Sequence, residues 1–135
     1  MTTKTNLNIG LLLLRITIAG PMLIYGISKL IHGISFIQGL LQTKGLPAFI
    51  GYGVYVGEVI APILMLIGLR TRIASLIFAM NCFTALLLAQ LPMLFTLNEN
   101  GGWSIELLFI YLTGALSLYF TGGGKLAVSR ENHWD

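Results

Sequence analysis

The sequence predicts an all-α integral membrane protein, a four-helix bundle with a short interfacial helix between the first two spans. Three observations predict it. Hydrophobic residues make up 56% of the 135 and charged residues only 10%, against about 25% charged in an ordinary soluble domain. Apolar runs recur over about 7–31, 47–69, 73–90 and 103–119, near the roughly 20 residues that a bilayer span requires. Short polar or glycine-rich connections separate them, among them Arg70-Thr71-Arg72 and Asn98-Glu99-Asn100-Gly101-Gly102. At this length residues 1–135 are read as one transmembrane domain.

The same composition excludes several functions. The net charge of +3 is small and scattered, without the basic run and interleaved aromatics of a nucleic-acid binder. Cys82 is the only cysteine, so neither an intrachain disulfide nor a thiolate metal cluster can form. His32 and His133 fall outside the middles of the spans, which argues against an intramembrane haem. The expectation is no metal, no catalytic set and no intrinsic cofactor.

The first span, Leu11-Leu-Leu-Leu-Arg-Ile-Thr-Ile-Ala-Gly-Pro-Met-Leu-Ile-Tyr-Gly-Ile-Ser-Lys-Leu30 with its flanks, carries Arg15 and Lys29. An ionisable group at bilayer depth costs at least about 2.5–3.5 kcal/mol and tends to face a bundle interior. Fourteen residues at about 100° each leave the two only ~40° out of phase, so one seam of helix 1 is polar at both ends. Arg15 also interrupts the apolar core that a cleaved signal peptide would show, and the helix is expected to be retained. Pro21 predicts a kink. After it, Phe36, Ile37, Leu40 and Leu41 recur at helical spacing, suited to a short helix on the membrane surface. Gly45-Leu46-Pro47 opens the second span.

Helix 2 places Glu58 midway between its ends. Pro62, four residues on, leaves the Glu58 carbonyl without its helical donor, so carboxylate and carbonyl form one polar notch. Gly53 and Gly57 have the small-xxx-small spacing that permits close helix approach; a packing groove and a functional notch are both consistent with it. Helix 3 carries Asn81, Cys82 and Thr84 near its centre. Helix 4 opens on Trp103, placed as an interfacial anchor, with Glu106 one turn inside. Gly122 to Gly124 stop it.

Four spans put both termini on one side. Lys4, Arg70, Arg72, Lys125 and Arg130 share that side, while Lys44 and Lys29 lie opposite. The positive-inside rule then orients both termini to the cytoplasm. Depth counting along the helices predicts two stacked acid–base pairs, an inner Arg15–Glu58 and an outer Lys29–Glu106. Either the pairs only specify how helices dock, or they line a polar cavity that holds a small head group or relays protons. Tyr25, His32 and Trp103 are expected around the outer pair.

These segments resemble the DoxX family of small bacterial membrane proteins. The residues that carry the resemblance are the Arg15-to-Leu30 pattern with its Gly26-Ile-Ser-Lys29-Leu30 ending, Phe36 with Leu40 and Gly45-Leu46-Pro47, and Glu58 with Gly68-Leu69-Arg70-Thr71-Arg72. Gly101-Gly102-Trp103-Ser104-Ile105-Glu106 and Gly122-Gly123-Gly124-Lys125 complete it. Where many members carry Ser-x-Asp, this chain has Ala127-Val128-Ser129. The resemblance implies a redox-linked subunit of the bacterial inner membrane, since family members serve quinol- or quinone-linked oxidases and oxidative-stress assemblies. On that reading Tyr25, Lys29, His32, Trp103 and Glu106 hold a quinone or similar lipophilic redox molecule, and a membrane or peripheral oxidoreductase partner supplies the electron carrier. Two alternatives remain: a proton-coupled or small-solute carrier using Glu58, and an assembly protein without chemistry. Small residues on the helix seams also suit a homodimer.

Overall fold

A computed structural model describes residues 3–127, with the backbone alone at residues 3, 4, 89 and 90. Val128, Ser129, Arg130 and His133 lie outside the described residues. Five helices follow in order: α1 (Thr3–His32), α2 (Ser35–Thr43), α3 (Ala48–Ile67), α4 (Thr71–Ala85, continued by a π-helical turn over Leu86–Gln90) and α5 (Glu106–Thr121). Segments Thr5–His32, Ala48–Ile67 and Thr71–Leu88 are long and apolar enough to cross a membrane, and α5 is a shorter apolar helix. The all-helical membrane-type bundle expected from the sequence is therefore what the chain forms.

α1 stays helical through Pro21 and ends where Gly33 takes φ +85°, a left-handed turn that costs glycine little. The amphipathic α2 turns Leu41 inward and leaves Phe36 exposed. Its inner side rests on the start of α3, where the Gly51 backbone meets Ile34, Gln38 and Leu41.

Two other backbone geometries inside α3 have local causes. Ala48–Tyr52 winds as a tight 3-10 segment after the extended Pro47, and Val56–Ile60 forms a π turn closed by Ala61 N–H donating to the Val56 carbonyl. The π turn stands just before Pro62, whose missing N–H already forbids the ordinary bond to the Glu58 carbonyl. Widening the helix there removes the clash that an α-helical register would impose. At its end Gly68 (φ +78°) and Arg70 (φ +50°) reverse the chain into α4.

The bundle forms a ring in which α1 packs on α3 and α5, and α4 packs on α3 and α5. Ile18, Ala19, Met22, Met65, Ala74, Phe78, Ala79, Cys82, Tyr111, Ala115 and Leu118 make its core. Phe78 meets Tyr111 edge-on with ring centroids 6.1 Å apart. Gly57 does mark a close approach, since a Cβ there would run into Asn81 of α4, whereas Gly53 faces open space. Large apolar side chains such as Ile24, Ile31 and Phe120 stay exposed around the outside, where lipid rather than water would cover them.

α5 starts at Glu106, three residues later than the sequence suggests. Trp103 instead belongs to the preceding loop, where it bridges to Leu97 and its Nε1 donates to the Leu94 carbonyl at 2.6 Å. Asn98 organises that loop. Its Oδ1 accepts from the N–H groups of Asn100 and Gly102 at 3.0 and 2.9 Å.

Candidate functional site

The antiparallel register of α1 and α3 decides which charges meet. Gly26 abuts the Glu58 carbonyl so closely that a Cβ would overlap it. One turn on, the Tyr55 hydroxyl donates to the Lys29 carbonyl at 3.2 Å. At the other end Arg15 lies against Gly68. Glu58 therefore sits level with the last two turns of α1, about ten residues and ~15 Å along α3 from the level of Arg15.

Lys29 is the partner of Glu58. Its Nζ donates to Oε2 at 2.5 Å, with the lysine side chain 30% exposed and the carboxylate 7%. The expected Arg15–Glu58 pair is thus replaced. Arg15 donates instead to the carbonyls of Met65, at 3.2 Å, and Leu126. The expected Lys29–Glu106 pair is replaced as well, because the ammonium is committed to Glu58. The ends of α1 and α3 are not level. α1 begins at Thr3 and overhangs α3 at the Arg15 end, while the 3-10 start of α3 runs past the end of α1 beside α2.

Polar and aromatic side chains lie one turn away from Lys29–Glu58 along α1 and α3. Tyr25 and His32 stand one turn before and after Lys29, both exposed, and His32 Nδ1 donates back to the Ser28 carbonyl at 3.0 Å. Tyr55 comes from α3, where its ring tilts against Tyr52 with centroids 6.3 Å apart. Tyr55 was not singled out from the sequence, although its place three residues before Glu58 gave the available signal. Trp103 and Glu106 form a separate group at the opening of α5. The indole packs on Phe109 with ring centroids 5.2 Å apart, and the carboxylate of the exposed Glu106 lies over Gly102.

Chemically, the pair is a donor and an acceptor of protons held at hydrogen-bond distance within a membrane helix bundle. Partly exposed at the lysine, it can exchange either role with a small polar group that reaches it. Among the described residues no cluster of three metal-ligating side chains occurs.

A family model of DoxX proteins matches residues 10–91, which include Arg15, Lys29 and Glu58. The chain belongs to the DoxX family. This DoxX protein is also similar to a protein of Bacillus subtilis (strain 168) named "Putative oxidoreductase CatD", with 32% identity over 126 residues, 89% of this chain and 84% of that protein. No solved structure matches it. Family membership and the apolar helices make it a multi-pass membrane protein. Trp103 and Glu106 lie beyond the matched residues.

Proposed function

We propose that this DoxX protein is an inner-membrane subunit or partner of an oxidoreductase system, and that Lys29–Glu58 engages the head group of a quinone or similar small lipophilic redox molecule. The observation that carries the reading is the lysine–carboxylate pair, enclosed at the acid and open at the amine, beside the π turn of a membrane helix. Such turns recur at functional sites. The name of the Bacillus relative points the same way. A quinone takes up two protons with two electrons; in this reading Lys29 Nζ donates a hydrogen bond to a quinone oxygen, Glu58 accepts one from the hydroxyl of the reduced form, and both protons come from water. Tyr25 and His32 flank that position on α1 and Tyr55 on α3. The electrons come from a partner protein. In this reading both termini face the cytoplasm, which the distribution of basic residues supports.

The test uses protein purified in mild detergent from its native membrane, with bound lipids extracted for mass spectrometry and an oxidised-minus-reduced spectrum taken on the same sample. Near-stoichiometric quinone is expected in the wild type. It should be lost in Glu58→Gln and Lys29→Gln with the helical signal intact, and retained in Glu106→Gln. An empty extract and a flat spectrum would sink the quinone reading.

A proton-coupled carrier is the second reading, favoured by the depth of Glu58 in α3. Uptake into vesicles that follows the pH gradient and stops in Glu58→Gln would support it over the first.

A further inference from the structure

Arg15 is the largest fully buried side chain among the described residues. Besides its bonds to the Met65 and Leu126 carbonyls, its Nε has no partner. The hydroxyls of Thr71 and Ser75, one turn apart on α4, are equally enclosed and equally unpartnered. Arg15 and Thr71 share one wedge, and Ser75 lies one turn further along α4. Arg15 Nη1 lies against Gly68 and the residue Ala127 lies there too, while Thr71 Oγ1 lies against Gly123. Both side chains are thus caught between the 68–70 turn and the segment that leaves α5, residues 122–127. Ser75 is about 6 Å deeper along the helix than Thr71.

Among the described residues no carboxylate is bonded to this guanidinium, since Glu58 is taken by Lys29. Two neutral carbonyls leave its charge uncompensated in a place where an isolated charge is costly. The unused Nε and the two hydroxyls can all donate, and a guanidinium fork matches the paired oxygens of a carboxylate or phosphate.

The geometry points to an oxyanion site for a phosphate or carboxylate group, built from Arg15, Thr71 and Ser75 and closed by residues 122–127. The closing segment hinges at Gly122 (φ +76°) and Gly124 (φ +79°). It is tied down by Lys125 N–H donating to Asn8 Oδ1 at 3.0 Å and by the Arg15 bond to the Leu126 carbonyl. Opposite charge and a two-point fork make an oxyanion a stronger acceptor for a guanidinium than a single neutral carbonyl. An entering oxyanion therefore displaces the Leu126 carbonyl from Nη2 and lifts the segment.

The experiment follows thermal unfolding and tryptic cleavage after Lys125 on the full chain in a neutral detergent. Inorganic phosphate is titrated against chloride at matched ionic strength. A parallel arm uses nanodiscs of phosphatidylcholine, with or without phosphatidic acid, in a buffer free of inorganic phosphate. Phosphate is expected to raise the unfolding temperature saturably and to speed the cleavage several-fold. The double variant Thr71→Val with Ser75→Ala should keep its unliganded unfolding temperature and need at least tenfold more phosphate, and Arg15→Gln should lose the response. A response to phosphatidic acid alone assigns the anion to a lipid head group, and a response to phosphate alone assigns it to a free anion. No response in either arm, or the same midpoint in the double variant as in the wild type, overturns the site.

Discussion

Lys29 and Glu58 depend on each other in a way that single substitutions would expose. Removing one member of an enclosed ion pair strands the other, at a typical cost of about 3–5 kcal/mol. Lys29 is partly open and can swing its amine outward, so Glu58→Ala should cost near the lower end of that range, about 3 kcal/mol. Replacing both with methionine removes charge and desolvation penalty together, and should return stability to within about 1 kcal/mol of the wild type. Thermal unfolding in detergent reads both. If the double variant is as unstable as the single one, the pair is held by more than its mutual attraction.

At the scale of helices, Gly26 of α1 lies close against the backbone of Glu58 and the side chain of Val59. Gly26→Ala has no side chain to push aside at the carbonyl, so α1 and α3 must separate. Overpacking of this kind costs about 1–3 kcal/mol, whereas Gly39→Ala, with open space around it, should be neutral or stabilising. Comparing folded yield and unfolding temperature of the two variants checks this. The register that Gly26 fixes also explains what could be read in advance. Apolar runs and breakers located every helix, because span length and hydropathy are local properties of the chain. The charges themselves, Arg15, Lys29 and Glu58, were also evident as expensive groups in apolar runs. Their pairing was not, because it depends on how far one helix slides along the next. That offset comes from the 3-10 start of α3, the π turn and the extra turn of α1, none of which leaves a sequence pattern strong enough to count. Trp103 was misplaced for a related reason. The Asn98 loop competes with the helix for its backbone and wins.

For the whole molecule, the decisive expectation is its orientation. A cysteine introduced at Asn6 and another at Lys44, each exposed, should react with a membrane-impermeant maleimide from opposite faces of the membrane. Asn6→Cys should label only in inverted vesicles and Lys44→Cys only in intact spheroplasts. The native Cys82 is fully enclosed and serves as the silent background. Labelling of both from one face would contradict a chain whose ends lie on the cytoplasmic side.

The helices differ greatly in length, with 30 residues in α1 and 16 in α5. At 1.5 Å per residue the apolar run of α1, over about 7–31, reaches about 38 Å and α5 about 24 Å, against a hydrocarbon thickness of about 30 Å. Lipid beside α5 must thin or the helix must stand upright, while α1 must tilt or protrude. The protein thus carries a thick side and a thin side, and the surrounding bilayer is wedged between them. Reconstitution into phosphatidylcholines of decreasing chain length should raise its unfolding temperature until the acyl layer matches α5, then lower it as α1 becomes overexposed. A membrane of uneven thickness around one small bundle also gives neighbouring proteins a reason to gather on one flank of it.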